Sequence, residues 1–483
     1  MLKMKSAGFS SVIFFVILAG FIALFFYLNQ YSVNQQFIFS KPNEQILGTN
    51  FGKLIAGDIL KYKKYVYTFM DGMKPIFYPL WGYPLLTLLG IKFGNYSMFL
   101  YILQALMALH GVYLFYKIFD IKKKIYHIFL FIPFIGILSV KWPDGITCYL
   151  GLLSFYFFKV GFSIKKIKYF VLAGFVLGIM ANFRSEYFFL PVFMLAVFIV
   201  LRRKIHVPAK FIFISMLSVF AMQLVLLGPW AARSAMFDGK LRFTAANGGG
   251  TLYDSLGELP GNPWGLDGDD TDAYKFAQTH DKEGNPVPLQ KISPKDRDYY
   301  PIYSYSGMQH KINFYPFGHE GDEVLKRQAA MLVKQHPFYF AKKVMHHFLC
   351  IFTGGVYIIE TEGFGVTTQK HLESLKYFRD LSKKDKILFL SGVLRYKQNL
   401  RIAAPYILNW AFRLIFMALF VFFIISARNI RALPWIFYIL LPVIAYKVLL
   451  VSFIQYSPRH LNFIYMFLLG YFLFRKDAKN ANS

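Results

Sequence analysis

Residues 140–191 read VKWPDGITCYLGLLSFYFFKVGFSIKKIKYFVLAGFVLGIMANFRSEYFFLP. Two apolar runs, 147–163 and 169–182, are separated by the basic tetrad KKIK at 165–168. The far ends carry short turns, one holding Asp144 after Pro143, the other holding Arg184 and Glu186. Runs approaching ~20 apolar residues are the length of a bilayer-crossing helix. A lysine cluster at one end and mixed charges at the other describe a pair of antiparallel membrane helices. The stretch therefore sets the fold class: a helical membrane protein, with ionisable groups collected at one set of helix ends.

The same pattern extends over the chain. Of its 483 residues 56% are hydrophobic and 19% aromatic, with only 17% charged, which is too apolar for a soluble domain of this length. Apolar segments fall at 10–28, 96–116, 126–140, 147–163, 169–182, 187–201, 211–228, 404–426, 432–452 and 461–474. None shows the short alternating strands of a membrane barrel. Basic clusters mark alternate ends: Lys3 and Lys5, then 122–124, 165–168, 202–204, 428–431 and 475–476. The positive-inside rule places these in the cytoplasm, giving about ten spans with both termini inside. The first apolar run has no small-residue cleavage pattern after it and reads as an uncleaved anchor. The formal net charge of +28 is accounted for by clusters beside apolar segments, which suit topology and anionic lipid rather than nucleic acid.

This topology divides the chain into a membrane module at 1–228 with a first outer loop at 29–95, an extracytoplasmic segment of mixed loops and helices at 229–403, and C-terminal spans at 404–483. Residues 247–274, NGGGTLYDSLGELPGNPWGLDGDDTDAY, are rich in turn formers and predict ordered loops. In DEVLKRQAAMLVKQHP, residues 322–337, Leu325, Ala329, Leu332 and Val333 share one helix face, and Pro337 is expected to end that helix. Residues 338–359 are apolar but contain Lys342, Lys343, His346 and His347, so they predict an interfacial helix rather than a further span.

Ionisable groups at a membrane edge are costly, which makes them candidates for function. Those on the outer side are Glu44 and Asp58 in the first loop, Asp144, Arg184 with Glu186, Arg233, and Arg459 with His460. A carboxylate can act as general base toward an acceptor hydroxyl, and Arg or Lys can hold a departing phosphate. Each also has an ordinary reading. Asp144 is a plausible turn residue between Pro143 and Gly145; Arg184 can pair with Glu186; Arg233 and Arg459 can anchor spans at the interface. The lysines of 61–67 suit a lipid-facing surface.

Metal signals are weak. Asp267 to Asp272 opens like a calcium loop, but the expected glycine is missing and Gln278 stands where a bidentate Glu belongs. The acids around His319 lack a ligand spacing, and adjacent His346 and His347 face different ways. A divalent metal is thus a secondary possibility, and no cofactor is required. Cys148 and Cys350, the only cysteines, sit in apolar surroundings and exclude a disulfide framework. Phosphate-loop, dinucleotide and serine-elbow motifs are absent.

Several stretches in order resemble the GT-C superfamily of polyprenyl-phosphate-sugar-dependent glycosyltransferases, in the branch of the protein O-mannosyltransferases and the aminoarabinose transferase of lipid A. NEQILGTNFGKLIAGD at 43–58 is similar to that family's Asp-Glu pair followed by Gly-Asp, and KPIFYPLWGYPLLTLLGIKFG at 74–94 to its Lys-Pro element. WPDG at 142–145 falls at its second acidic loop, and ANFRSEYFFLP at 181–191 resembles its arginine turn. GPWAARSAMFDGKLRFTAANGGGTLY at 228–253 and SPRHLNFIYMFLLG at 457–470 are similar to its later segments. One departure stands out: the family's catalytic Asp is Asn43 here, leaving Glu44, Asp58 or Asp144 as the base.

The resemblance implies an all-α polytopic membrane protein of GT-C type in a bacterial inner membrane, with its active site facing the periplasm. The implied donor is a polyprenyl-phosphate sugar, whose phosphate Arg184, Lys74, Arg233 and Arg459 would hold. The implied acceptor is a glycolipid, polysaccharide or protein. Two rivals are a flippase or transporter of lipid-linked glycans, and a polymerase or ligase of them.

Overall fold

A computed structural model describes residues 13–23, 96–122, 124–139, 143–245, 248–259, 261–268, 270–291, 319–353, 397–426, 434–453 and 462–482, with isolated positions between. Every regular element among the described residues is helical, and extended pairing is limited to two antiparallel bridges, His280 with Pro286 and Lys291 with His310. The chain runs through α1 (Ile13–Ala23), α2 (Tyr96–Phe119), the short α3 (His127–Leu130) and α4 (Ile132–Ser139), α5 (Pro143–Ile164) and α6 (Ile167–Phe183). A 3₁₀ turn, Ser185–Phe189, leads into α7 (Leu190–Ile205) and α8 (Ala209–Asp238). A unit set apart from the long apolar helices follows, called the outer unit for its expected side: α9 (Gly248–Ser255), the 3₁₀ turn Leu256–Glu258, α10 (Asp270–Thr279), α11 (His319–Gln335) and α12 (Pro337–Thr353). The chain closes with α13 (Lys397–Ser426), α14 (Trp435–Phe453) and α15 (Asn462–Asn482).

Each apolar segment of the sequence thus holds helix, although 126–140 is broken into two pieces rather than one. Four helices among the described residues are long and apolar enough to cross a membrane: Phe99–Phe119, Pro143–Ile164, Ala209–Met236 and Trp435–Phe453. Ile13–Ala23, Ile167–Phe183 and Ala411–Ser426 are apolar but shorter.

Three helices, α2, α5 and α7, stop at a non-glycine residue in the left-handed region: Asp120, Lys165 and His206. Each stop falls beside a basic cluster. Polar contacts then tie the end of α2 to α5 and the segment after it to α15. Lys159 of α5 pairs with Asp120 and donates to the Lys117 carbonyl at 2.7 Å. Asp477 of α15 accepts from the Lys122 amide at 2.9 Å and pairs with Lys124 at 3.5 Å.

Small residues bring the helices together. On α6, Gly174 and Gly178 face α8 so closely that a Cβ on Gly174 would stand 2.5 Å from the Val219 carbonyl oxygen. One on Gly178 would meet Leu226 Cδ1 at 2.7 Å. Close approach of this kind is how membrane helices gain contact where lipid is as apolar as the side chains. Gly145 does the same for α5 and α4, since a Cβ there would lie 2.6 Å from the Ile137 oxygen. Elsewhere aromatic rings fill the interior, as where Phe158, Phe162, Phe170 and Phe198 meet edge to face.

The outer unit has its own core, built on Tyr253, Leu256, Tyr274, Phe276, Leu325 and Ala329. Leu332 and Val333 pack on it, so the face expected of α11 is the face it buries, and the helix ends two residues before Pro337, which opens α12. The loop formers earn their places by accepting backbone N–H groups: Asp254 from Ala273 at 3.0 Å, Asp272 from Gly268 at 2.7 Å, and Asn262 from Leu266 at 3.0 Å. Gly268, at φ +79°, lies against Gly257, where a Cβ would come within 2.3 Å of the Gly268 nitrogen.

Helix α12 fastens this unit to the bundle. Lys343 is fully buried and donates from Nζ to Ser255 Oγ at 2.7 Å and to the Phe453 carbonyl at the end of α14 at 3.4 Å. His347 Nε2 lies 2.7 Å from Glu258 Oε2. Burial pulls Lys343 down from 10.5 to about 8, against the opposing pull of Glu258. The unfolded chain therefore holds this proton through a window in which the fold has lost it. Below about pH 8 both states are protonated and the fold bears the whole cost of the buried charge. The Lys343 contribution to stability should rise between about pH 8 and 10.5, by on the order of 3 kcal/mol over the full window. Thermal unfolding in detergent at pH 7.5 and 9.5 checks this: Lys343→Met should lose most of the wild-type rise, and an unchanged rise would refute it.

Candidate functional site

Asp144 occupies the first turn of α5, directly after Pro143, where the helix N-terminus favours a carboxylate. It is nearly buried, 7% exposed. Arg184 closes α6 with an extended backbone (φ −144°, ψ 102°), its own N–H still bonded to the Met180 carbonyl at 3.0 Å. From there its side chain reaches across to α5. Nη2 lies 2.7 Å from Oδ1 and 2.7 Å from Oδ2 of Asp144. The two turns that frame the opening stretch of sequence are thus joined by one ion pair.

The turn after Arg184 is held from two further helices. Glu186 pairs with Lys447 of α14, and the Tyr446 hydroxyl donates to the Glu186 carbonyl. The Lys447 ammonium sits 4.4 Å from the centre of the Tyr187 ring, a cation–π contact, and Lys447 is itself buried. From α8, Gln223 Nε2 donates to the Tyr187 carbonyl at 3.0 Å. Two acid–base pairs are therefore anchored two residues apart on one short turn, and each takes its partner from another helix. Arg233 sits half-buried near the end of α8.

Arg184 meets Asp144 and Glu186 meets Lys447, so each of the two neighbouring charges has a counter-ion on another helix. Asp144 is not a simple turn residue, since both its oxygens accept from the guanidinium. Glu44, Asp58, Lys74 and Arg459 lie outside the described residues. Lys447 went unread in the sequence, although a lone lysine in the apolar run PVIAYKVLL at 442–450 is itself a signal.

The acidic stretches of the outer unit serve its loops. Asp267 pairs with Lys275, Asp322 pairs with Lys326, and Asp322 also accepts from the Gly249 amide. His347 goes to Glu258, while His346 turns to Cys350 Sγ at 3.8 Å. Among the described residues no three His, Cys, Asp or Glu gather as metal ligands. Cys148 is buried among apolar side chains and Cys350 is half-buried.

No family model matches the chain, and comparison with curated proteins and with solved structures finds no match either.

Breaking a buried pair strands a charge. Arg184→Gln alone should destabilise the protein by about 3–5 kcal/mol, because the carboxylate of Asp144 loses its counter-charge. The double variant Asp144→Asn/Arg184→Gln should recover part of this, giving a favourable coupling energy in a double-mutant cycle. Thermal unfolding of the four proteins in one detergent measures it, and strictly additive losses would show that the two side chains do not interact.

Proposed function

We propose that the chain is an integral membrane glycosyltransferase of GT-C type, with about ten spans, both termini in the cytoplasm and its reaction site on the outer face of a bacterial inner membrane. It moves a sugar from a polyprenyl-phosphate donor to an extracytoplasmic acceptor. The acceptor hydroxyl loses its proton to a carboxylate and attacks the anomeric carbon from the side opposite the phosphate. The bond from that carbon to the phosphate oxygen breaks, the configuration inverts, and the lipid phosphate leaves with the electron pair.

The observation that carries this reading is the Asp144–Arg184 pair, which lies at the helix ends opposite the basic clusters. The outer unit joins the same ends through Lys343 and the Phe453 carbonyl. The pairing also refines the roles. A carboxylate whose two oxygens already accept from a guanidinium is poorly placed to take a proton. Asp144 is better suited to aiming Arg184 at the donor phosphate, and the base falls to Glu44, with Asp58 as the alternative. Lys74, Arg233 and Arg459 are the further cations of the clamp. The outer unit would select the acceptor. The sequence resemblance supports the reaction class, and no metal or cofactor is required by it.

One feature favours a carrier of lipid-linked glycans instead. Lys447 is buried inside a span-length helix and paired with Glu186, as in a pathway through the bilayer. Incubation of the purified protein with a radiolabelled polyprenyl-phosphate sugar separates the two. The enzyme should show transfer or slow hydrolysis, lost in Glu44→Gln and reduced on the order of 10²-fold in Arg184→Ala. Absence of turnover, with the cell's surface glycans unchanged in Glu44→Gln, Asp144→Asn and Arg184→Ala, would reject the enzyme in favour of the carrier.

A further inference from the structure

Lys447 lies within the apolar helix α14 and is buried, 1% exposed. A charge in such a helix is costly and calls for a reason. Stability is a weak one, since apolar residues of similar volume in place of a buried ion pair are often neutral or stabilising. What a buried pair adds is a fixed direction. The contacts of Lys447 show what it directs.

Arg184 leaves α6 on an extended backbone and enters the 3₁₀ turn Ser185–Phe189, where the Tyr187 amide donates to the Arg184 carbonyl at 3.1 Å. A 3₁₀ turn is short and its hydrogen bonds have poorer geometry than those of an α-helix, so its direction depends on what holds it from outside. Lys447 takes hold of two successive residues of this turn. Its ammonium pairs with the Glu186 carboxylate and stands over the Tyr187 ring, 4.4 Å from the centre. The adjacent Tyr446 hydroxyl donates to the Glu186 carbonyl, and its ring meets Phe193 of α7 at 5.5 Å between centres. Tyr187 is buried, with Gln223 of α8 on its carbonyl. The backbone is thus fixed on both sides of Arg184, by the Met180 carbonyl before it and by α14 and α8 after it. The guanidinium is presented to Asp144, with Nη2 2.7 Å from each oxygen.

We propose that Lys447 is a positioning residue of the site: through Glu186 and Tyr187 it fixes the turn that aims Arg184 at the phosphate of a polyprenyl-phosphate donor, without touching that phosphate itself. This rests on the glycosyltransferase reading above. It gives the buried lysine a part in the phosphate clamp in place of a pathway through the bilayer. It also makes the clamp depend on the C-terminal spans as well as on α5 and α6.

The test compares wild type with Lys447→Met, Lys447→Arg, Glu186→Gln/Lys447→Met and Asp144→Asn/Arg184→Gln, each as the full chain in one detergent. Three quantities are read: thermal unfolding, affinity for undecaprenyl phosphate by native mass spectrometry, and turnover of a radiolabelled polyprenyl-phosphate sugar. Lys447→Met alone strands Glu186 and loses stability for that reason, so the double variant at 186 and 447, which removes both charges, decides. It should unfold within a few degrees of wild type, yet bind undecaprenyl phosphate severalfold more weakly and turn over on the order of 10²-fold more slowly, as a misaimed group does. Lys447→Arg, which keeps the charge, should recover part of both. Wild-type affinity and turnover in the double variant would overturn the proposal, and so would losses that merely follow a fallen unfolding temperature. A wild type without turnover, or one that binds the phosphate no better than Asp144→Asn/Arg184→Gln, would instead remove the glycosyltransferase reading, and the proposal with it.

Discussion

A charge among apolar helices must meet its opposite. That requirement organises this molecule. Asp144 and Arg184 sit at the ends of helices whose other residues are almost all apolar, and each makes its neighbour tolerable. Glu186 and Lys447 repeat the solution two residues further along the chain. Because each pair draws on two helices, the pairs also decide which helix ends lie side by side. The start of α5, the end of α6 and the C-terminal half of α14 are brought to one place. The opposite ends are gathered by another set, Asp120 with Lys159 and Asp477 with Lys124.

Packing makes these pairs possible. Gly145 lets the first turn of α5 lie on the backbone of α4, which sets where Asp144 points. Gly174 and Gly178 bring α6 against α8, so that Gln223 can reach the Tyr187 carbonyl and hold the turn that follows Arg184. The outer unit is attached by the same logic on a smaller scale. Lys343 and His347 are buried only because Ser255, the Phe453 carbonyl and Glu258 receive them. Its core is separate from that of the bundle, and among the described residues α12 contributes to both.

Much of this could be read in the residues. Apolar runs of helical length interrupted by lysine clusters describe membrane helices in any order of folding, and α5, α6, α8 and α14 follow them closely. The stripe Leu325, Ala329, Leu332 and Val333 located the buried face of α11 because a 3.6-residue period leaves no other choice. Partners were harder. Arg184 takes a carboxylate forty residues away in sequence, and sequence order alone does not tell which helix ends the fold brings together. Lys447 was legible as an isolated charge, but only the meeting of α14 with the 184–187 turn shows why it is there. The break between α3 and α4 has a mark in Pro133, the second residue of α4, which the apolar residues around it masked.

The proposed function requires the polar pairs and the outer unit to share the face of the membrane opposite the lysine clusters. Cysteine labelling in intact cells with a membrane-impermeant maleimide reads this directly, using Glu283→Cys in the outer unit and Lys166→Cys beside α6 on a Cys350→Ser background. Glu283→Cys should react in intact cells, and Lys166→Cys only after the membrane is opened. Labelling of Lys166→Cys in intact cells, or protection of Glu283→Cys, would contradict it.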